Sequence, residues 1–138
     1  MKSRLFICSV LVSVAAMGCA KSSAVIPGLR EVNGKVLLSK GAPLKGGTIV
    51  LRPAGGLRPA ISADIKSDGS FTIDGASDKK PVVPGEYQVF VVFDKDPKHR
   101  ALRSQVPKKY QSVSDDESDL YVKIDEESDN VIVKLKQG

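Results

Sequence analysis

The chain has 138 residues, a formal net charge of +5, one histidine, no tryptophan and two cysteines. That length holds one domain and not two, and the charge is too mild to imply a nucleic-acid partner. Zinc takes three or four His, Cys or carboxylate ligands, and no such set stands out.

The N-terminus reads as an address. Lys2 and Arg4 are the only charges among the first twenty residues, and Leu5 to Ala16 is apolar apart from Ser9 and Ser13. Ala15, Ala16 and Gly18 are small. A positive head, an apolar middle and a small-residue end make a secretory signal. The run is shorter than the roughly 20 residues that a membrane span needs. The stretch Ala16-Met17-Gly18-Cys19 resembles a bacterial lipobox, with Ala16 standing where Leu is usual. That resemblance implies cleavage after residue 18 and a diacylglyceryl group on Cys19. The rival reading is an ordinary signal cut nearby, which leaves a lone thiol in an oxidising compartment and has to explain it. Residues 19–29 are then anchor and tether, spanning at most about 33–36 Å per ten residues. Ala20 follows the cysteine, whereas inner-membrane retention typically uses Asp there. The outer membrane is therefore expected in a host with two membranes. Without Lys2 and Arg4, 19 Lys and Arg face 16 Asp and Glu, and no cysteine remains for a disulfide.

Residues 30–138 form the domain, and they alternate. Val32, Gly34, Val36 and Leu38 share one parity, as do Ile49 and Leu51. Ile61, Ala63 and Ile65 follow, then Phe71 and Ile73, then Tyr87, Val89, Val91 and Phe93. Leu120, Val122 and Ile124 come next, and Val131, Val133 and Leu135 end the series. Period two is the mark of half-buried strands, and no stretch keeps a period of 3.6. The expectation is an all-β, seven-stranded sandwich. Phe90 and Val92 make the fifth strand apolar on its second face, so that strand is central or covered by a loop. Asp68-Gly69 suits a type I′ hairpin turn, which needs positive φ at both central residues. Pro84-Gly85 suits a type II turn at the entrance to the fifth strand.

In order and spacing, "VNGKVLLSKGAPLKGGTIVLRP", "SDGSFTI" and "VPGEYQVFVV" resemble the carboxypeptidase regulatory-like family of transthyretin-like domains. "VPKKYQS" and "SDLYVKIDEESDNVIVKLK" are similar to the C-terminal half of small planctomycete envelope lipoproteins. The resemblance covers about residues 30–137 and implies a Greek-key sandwich on a lipid anchor, with no catalytic residue and no cofactor. Some transthyretin-like proteins hydrolyse a urate metabolite with several histidines and a C-terminal Tyr-Arg-Gly-Ser. This chain ends Lys-Leu-Lys-Gln-Gly, so that activity does not carry over.

A Ser-His-Asp triad needs a histidine held between a carboxylate and a serine, and His99 sits in the charged stretch "DKDPKHRALR". "GGLRPA" lacks the Lys-Ser/Thr ending of a P-loop. "SDDESD" lacks the glycine and spacing of an EF-hand. Sugar stacking needs exposed aromatics, and only Phe90, Tyr110 and Tyr121 escape the core parity.

The most unusual stretch runs from Asp94 to Asp119, long for a loop without structure of its own. It begins basic, with Lys95, Lys98, Arg100, Arg103, Lys108 and Lys109, and turns acidic at Asp115, Asp116, Glu117 and Asp119. It reads either as a solvated loop or as a partner-docking loop carrying those six basic residues and Tyr110. The resulting expectation is a lipid-anchored envelope protein with a non-catalytic binding or scaffolding role, whose partner is an envelope protein or the cell wall. A carbohydrate-binding module is the alternative, and a hydrolase with an unrecognised site is the remote one.

Overall fold

The computed structural model describes residues 31–75, 82–127 and 130–137. The signal, Cys19 and the tether lie outside the described residues. The chain forms an all-β sandwich. One sheet is three-stranded, in the order β4 (Ser70–Asp74), β1 (Glu31–Leu37), β7 (Asn130–Lys134). The other is four-stranded, in the order β3 (Ile61–Asp64), β2 (Thr48–Pro53), β5 (Gly85–Val92), β6 (Tyr121–Ile124). Every pairing is antiparallel except β1 with β7.

The alternating residues fill the space between the sheets. Val32, Val36, Ile49, Leu51, Phe71, Ile73, Val89, Val91 and Val133 are all buried there. Gly34 has the core parity but no side chain, and its register partner on β4 is Phe71. The Phe71 ring occupies the vacant place: a Cβ on Gly34 would lie 2.2 Å from Phe71 Cζ and 2.7 Å from the Val131 carbonyl oxygen. An aromatic laid over a strand glycine recovers packing that the glycine gives up.

Two expected turns take other forms. Asp68-Gly69 is not a type I′ hairpin, because among the described non-glycine residues only Asp116 has positive φ. Gly69 N–H donates to the Lys66 carbonyl at 2.9 Å, Lys66 N–H donates to the Ser70 carbonyl at 2.8 Å, and Gly69 has φ +82°. This is a three-residue loop with glycine in the left-handed position. Its job differs from a hairpin's, since β3 and β4 belong to different sheets and the loop carries the chain across. Asp68 accepts from the Ser70 N–H and hydroxyl, and these bonds hold its carboxyl below the usual carboxylate range.

At the second turn Gly85 lies at φ +153°, far from the roughly +80° of a type II turn. Here the corner is held by a side chain. The Tyr87 hydroxyl donates to the Val83 carbonyl at 2.6 Å and accepts from the Val83 N–H at 3.2 Å. The ring is 3% exposed, so one residue both fills the core and ties the approach to β5.

Phe71→Ala should lower stability by about 3–5 kcal/mol, the cost of deleting a buried ring. Gly34→Ala should lower it by about 1–3 kcal/mol through overpacking. Urea denaturation of each variant checks both, and the double variant should lose less than the sum, because removing the ring relieves its clash with an alanine at 34 and leaves only the one with the Val131 carbonyl.

Candidate functional site

The 94–119 segment is not a free loop. It has two parts, and each is bolted to the sandwich by different chemistry.

The first part closes one end. Pro97–His99 forms a 3-10 turn, Arg100–Arg103 one helical turn (α1), and Lys108–Tyr110 a second 3-10 turn. Asp96 caps the first by accepting from the Lys98 N–H at 2.9 Å. Val106 and Tyr110 join the buried core, and Leu102 packs against it. Tyr110 was expected on the docking face, but it is fully buried and cannot meet a partner. Its residue type explains this, since the ring anchors the cap while the hydroxyl donates to Asp119 at 2.8 Å. Gln111 Nε2 donates to the carbonyls of Arg103 and Val106, bracing the cap from within.

His99 belongs to this cap. Its Nδ1 meets Asp94 Oδ1 at 2.5 Å, and its ring sits tilted on Phe93 with centroids 6.1 Å apart. The contact with His99 holds the Asp94 carboxyl below its ordinary range. Arg103 donates to the Asp94 carbonyl at 2.5 Å. His99 shares a shallow cleft of about 340 Å³ with Lys45, Thr48 and Asp64. The Thr48 hydroxyl there donates to Asp64 at 3.0 Å. The dyad braces the first 3-10 turn on the end of β5.

The cap leaves its cations outside. Lys95, Lys98, Arg100, Arg103 and Lys108 are exposed and Lys109 is half-buried. Lys109 donates to Asp119 at 3.1 Å and lies 5.0 Å from the Tyr110 ring centre. Hydrogen bonds from Tyr110 and then Lys109 hold the Asp119 carboxyl below its ordinary 3.8. Asp119 in turn raises the Lys109 ammonium. Burial pushes the Tyr110 phenol up, and its hydrogen bond to Asp119 adds to that.

The second part, residues 111–119, straps the outer face of the four-stranded sheet. Phe90 points outward and is still fully buried. Arg52 lies over it, its guanidinium carbon 5.1 Å from the ring centre. The same guanidinium donates to the Val113 carbonyl at 3.3 Å, to Gln88 Oε1, and to Asp116 in an ion pair. Gln88 and Ser118 are buried polar residues, and both are satisfied. Gln88 Nε2 donates to the Ser118 carbonyl at 2.7 Å, and the Ser118 hydroxyl donates to the Val89 carbonyl at 2.6 Å. Asp116 adopts φ 52°, which Asp tolerates better than most residues and which swings its carboxylate onto Arg52.

No family model and no curated protein matches this chain. The site is therefore read from its own geometry. Of the three aromatics available to a sugar-stacking surface, Phe90 and Tyr110 are buried, and Tyr121 is 47% exposed. Among the described residues no three His, Cys, Asp or Glu side chains gather as metal ligands. At the opposite end, residues 53–58 and 84–87 bound a cleft of about 310 Å³ that holds Leu57 and Arg58. In the sequence Arg52 and Gln88 read as ordinary outward residues of strands. The available signal was Phe90, an outward aromatic that demanded a cover.

Asp119 has a depressed carboxyl in the folded chain, so its contribution is full above its ordinary pKa and is lost as pH falls through the lower folded value. Asp119→Asn should therefore unfold at lower denaturant than wild type at pH 7. The gap should hold down to about pH 5 and narrow progressively as the pH falls below about 4. Denaturant midpoints across that range measure it.

Proposed function

We propose that the protein is a lipid-anchored envelope β-sandwich that works by binding or scaffolding, on the Greek-key plan of the carboxypeptidase regulatory-like, transthyretin-like domains. The non-sequential strand orders support that plan. So does the Tyr87 corner, a hydroxyl tied to the backbone four residues upstream, a feature of Greek-key sandwiches. The signal-like N-terminus and Cys19 support the anchor.

One observation carries the binding reading. The cap turns its apolar residues into the core and its basic residues outward, on a segment braced at both ends. A charged surface held this way needs little ordering when a partner arrives, which removes one of the main costs of association. Opposed charge then steers the encounter. The partner class is an envelope protein or a cell-wall polymer.

If Cys19 carries the lipid, Cys19→Ser should move the chain out of the membrane fraction or leave it as an uncleaved precursor. Cells fed an alkyne fatty acid should label the wild type and not the variant. An unlabelled wild type would end the lipoprotein reading.

A further inference from the structure

The strand directions sort the charges of the described residues. β1 rises from Glu31 to Leu37, β7 runs parallel to it, and the Thr48 end of β2 lies level with Asp64 and Val92. The cap therefore sits at the Leu37 end. Two shallow clefts join it to its surroundings there. One gathers Ser39, Ser104, Gln105, Lys136 and Gln137, and the other gathers Lys45, Thr48 and His99. Exposed Lys40, Lys45, Lys66 and Lys136 thus extend the basic surface of residues 95–109. Fewer acids sit at this end, and each accepts a local hydrogen bond: Asp64 from the Thr48 hydroxyl, Asp68 from the Ser70 hydroxyl, Asp94 from the His99 ring and Asp96 from the Lys98 backbone N–H. The other end carries Glu31, Asp74, Glu86, Asp125, Glu126 and Glu127, with Arg58 and Lys123 as its main cations among the described residues.

β1 begins at the acidic end, so the N-terminal segment enters there. Seven residues of strand place the basic pole about 20 Å further along the axis. If the chain is tethered through Cys19, the tether joins the domain at its acidic end, and the basic pole is the end farther from that junction. This placement rests on the anchored reading above.

We propose that the basic pole docks a linear anionic polysaccharide of the envelope. Three features select that partner. The two clefts at the pole have no apolar anchor: the large exposed apolar side chains among the described residues are Leu57, Tyr121 and Ile132, and none of them lines either cleft. Protein partners ordinarily bury such an anchor at the centre of the interface. The cations are interleaved with neutral donors and acceptors, Ser39, Ser104, Gln105 and Gln137, which suit sugar hydroxyls between the anionic groups. The clefts are open and polar, as a flexible hydrophilic chain requires.

The test uses the full chain purified in neutral detergent and titrated with fluorescent polygalacturonate, with neutral dextran as control. Polygalacturonate should bind and dextran should not. Affinity should fall at least about tenfold between 50 and 200 mM salt, as counterions released from a polyanion dictate. The combined variant Lys95→Gln, Lys98→Gln, Arg100→Gln should lose at least about tenfold in affinity. Arg58→Gln with Lys123→Gln, at the other end, should bind like wild type. Equal denaturant midpoints would exclude misfolding as the cause. Absent polygalacturonate binding overturns the proposal. So does tighter binding to vesicles of phosphatidylglycerol and phosphatidylcholine through the same three residues, which makes the pole a lipid contact. A salt-sensitive oligomer abolished by the triple variant also overturns it, making the acidic end of a second copy the partner. The titration can be run on chain recovered from either membrane or soluble fraction, so its failure is separate from a failure of Cys19 labelling.

Discussion

A strand that is apolar on both faces cannot lie on the open surface of a sandwich. β5 is such a strand. Tyr87, Val89 and Val91 face the three-stranded sheet, while Phe90 faces the other way and is just as deeply buried. Burying a side chain of that size is worth about 1.5–3 kcal/mol, and leaving it bare would present an adhesive patch. The cover is the long segment that follows β5. Its path over the sheet, its anchoring by Arg52 and its buried Gln88–Ser118 contacts all follow from the need to shield one ring.

Arg52 is the hinge of that arrangement. It sits beside Gln88 in the ladder between β2 and β5, so its guanidinium lies over the neighbouring outward ring. A planar cation with a fork of donors can stack on an aromatic while serving several acceptors at its edge. It does both here, and the acidic stretch at 115–117 gains a fixed place on the sheet. The basic stretch is fixed independently, through Tyr110, Val106 and Leu102. The two halves of the segment thus part company, one to the end of the sandwich and one to its flank. Only Lys109 and Asp119 join them by an ion pair among the described residues.

This division supplies the basic half of a charge polarity. Among the described residues, cations collect on a braced cap where the strands of both sheets end, and acids collect where β1 begins. A charged surface held on a braced cap loses less backbone freedom on association than a free loop of equal charge.

The sequence by itself determined the class of fold and most strand positions. Period-two alternation is a local property, and residues such as Val32, Phe71 and Val89 show their facing without reference to any neighbour. The doubly apolar fifth strand and the unusual length after it were legible for the same reason. Turn identity was less so. Asp68-Gly69 looks like a hairpin locally, yet its type depends on whether β3 and β4 share a sheet, and they do not. The Tyr87 corner, the Arg52 bridge and the burial of Tyr110 were decided only by tertiary structure. Each joins residues that the sequence leaves unpaired, with Arg52 meeting Asp116 across more than sixty positions. Composition shows how much charge a segment carries. Where that charge points depends on which of its apolar residues the core accepts, and that is settled only when the sheets have packed.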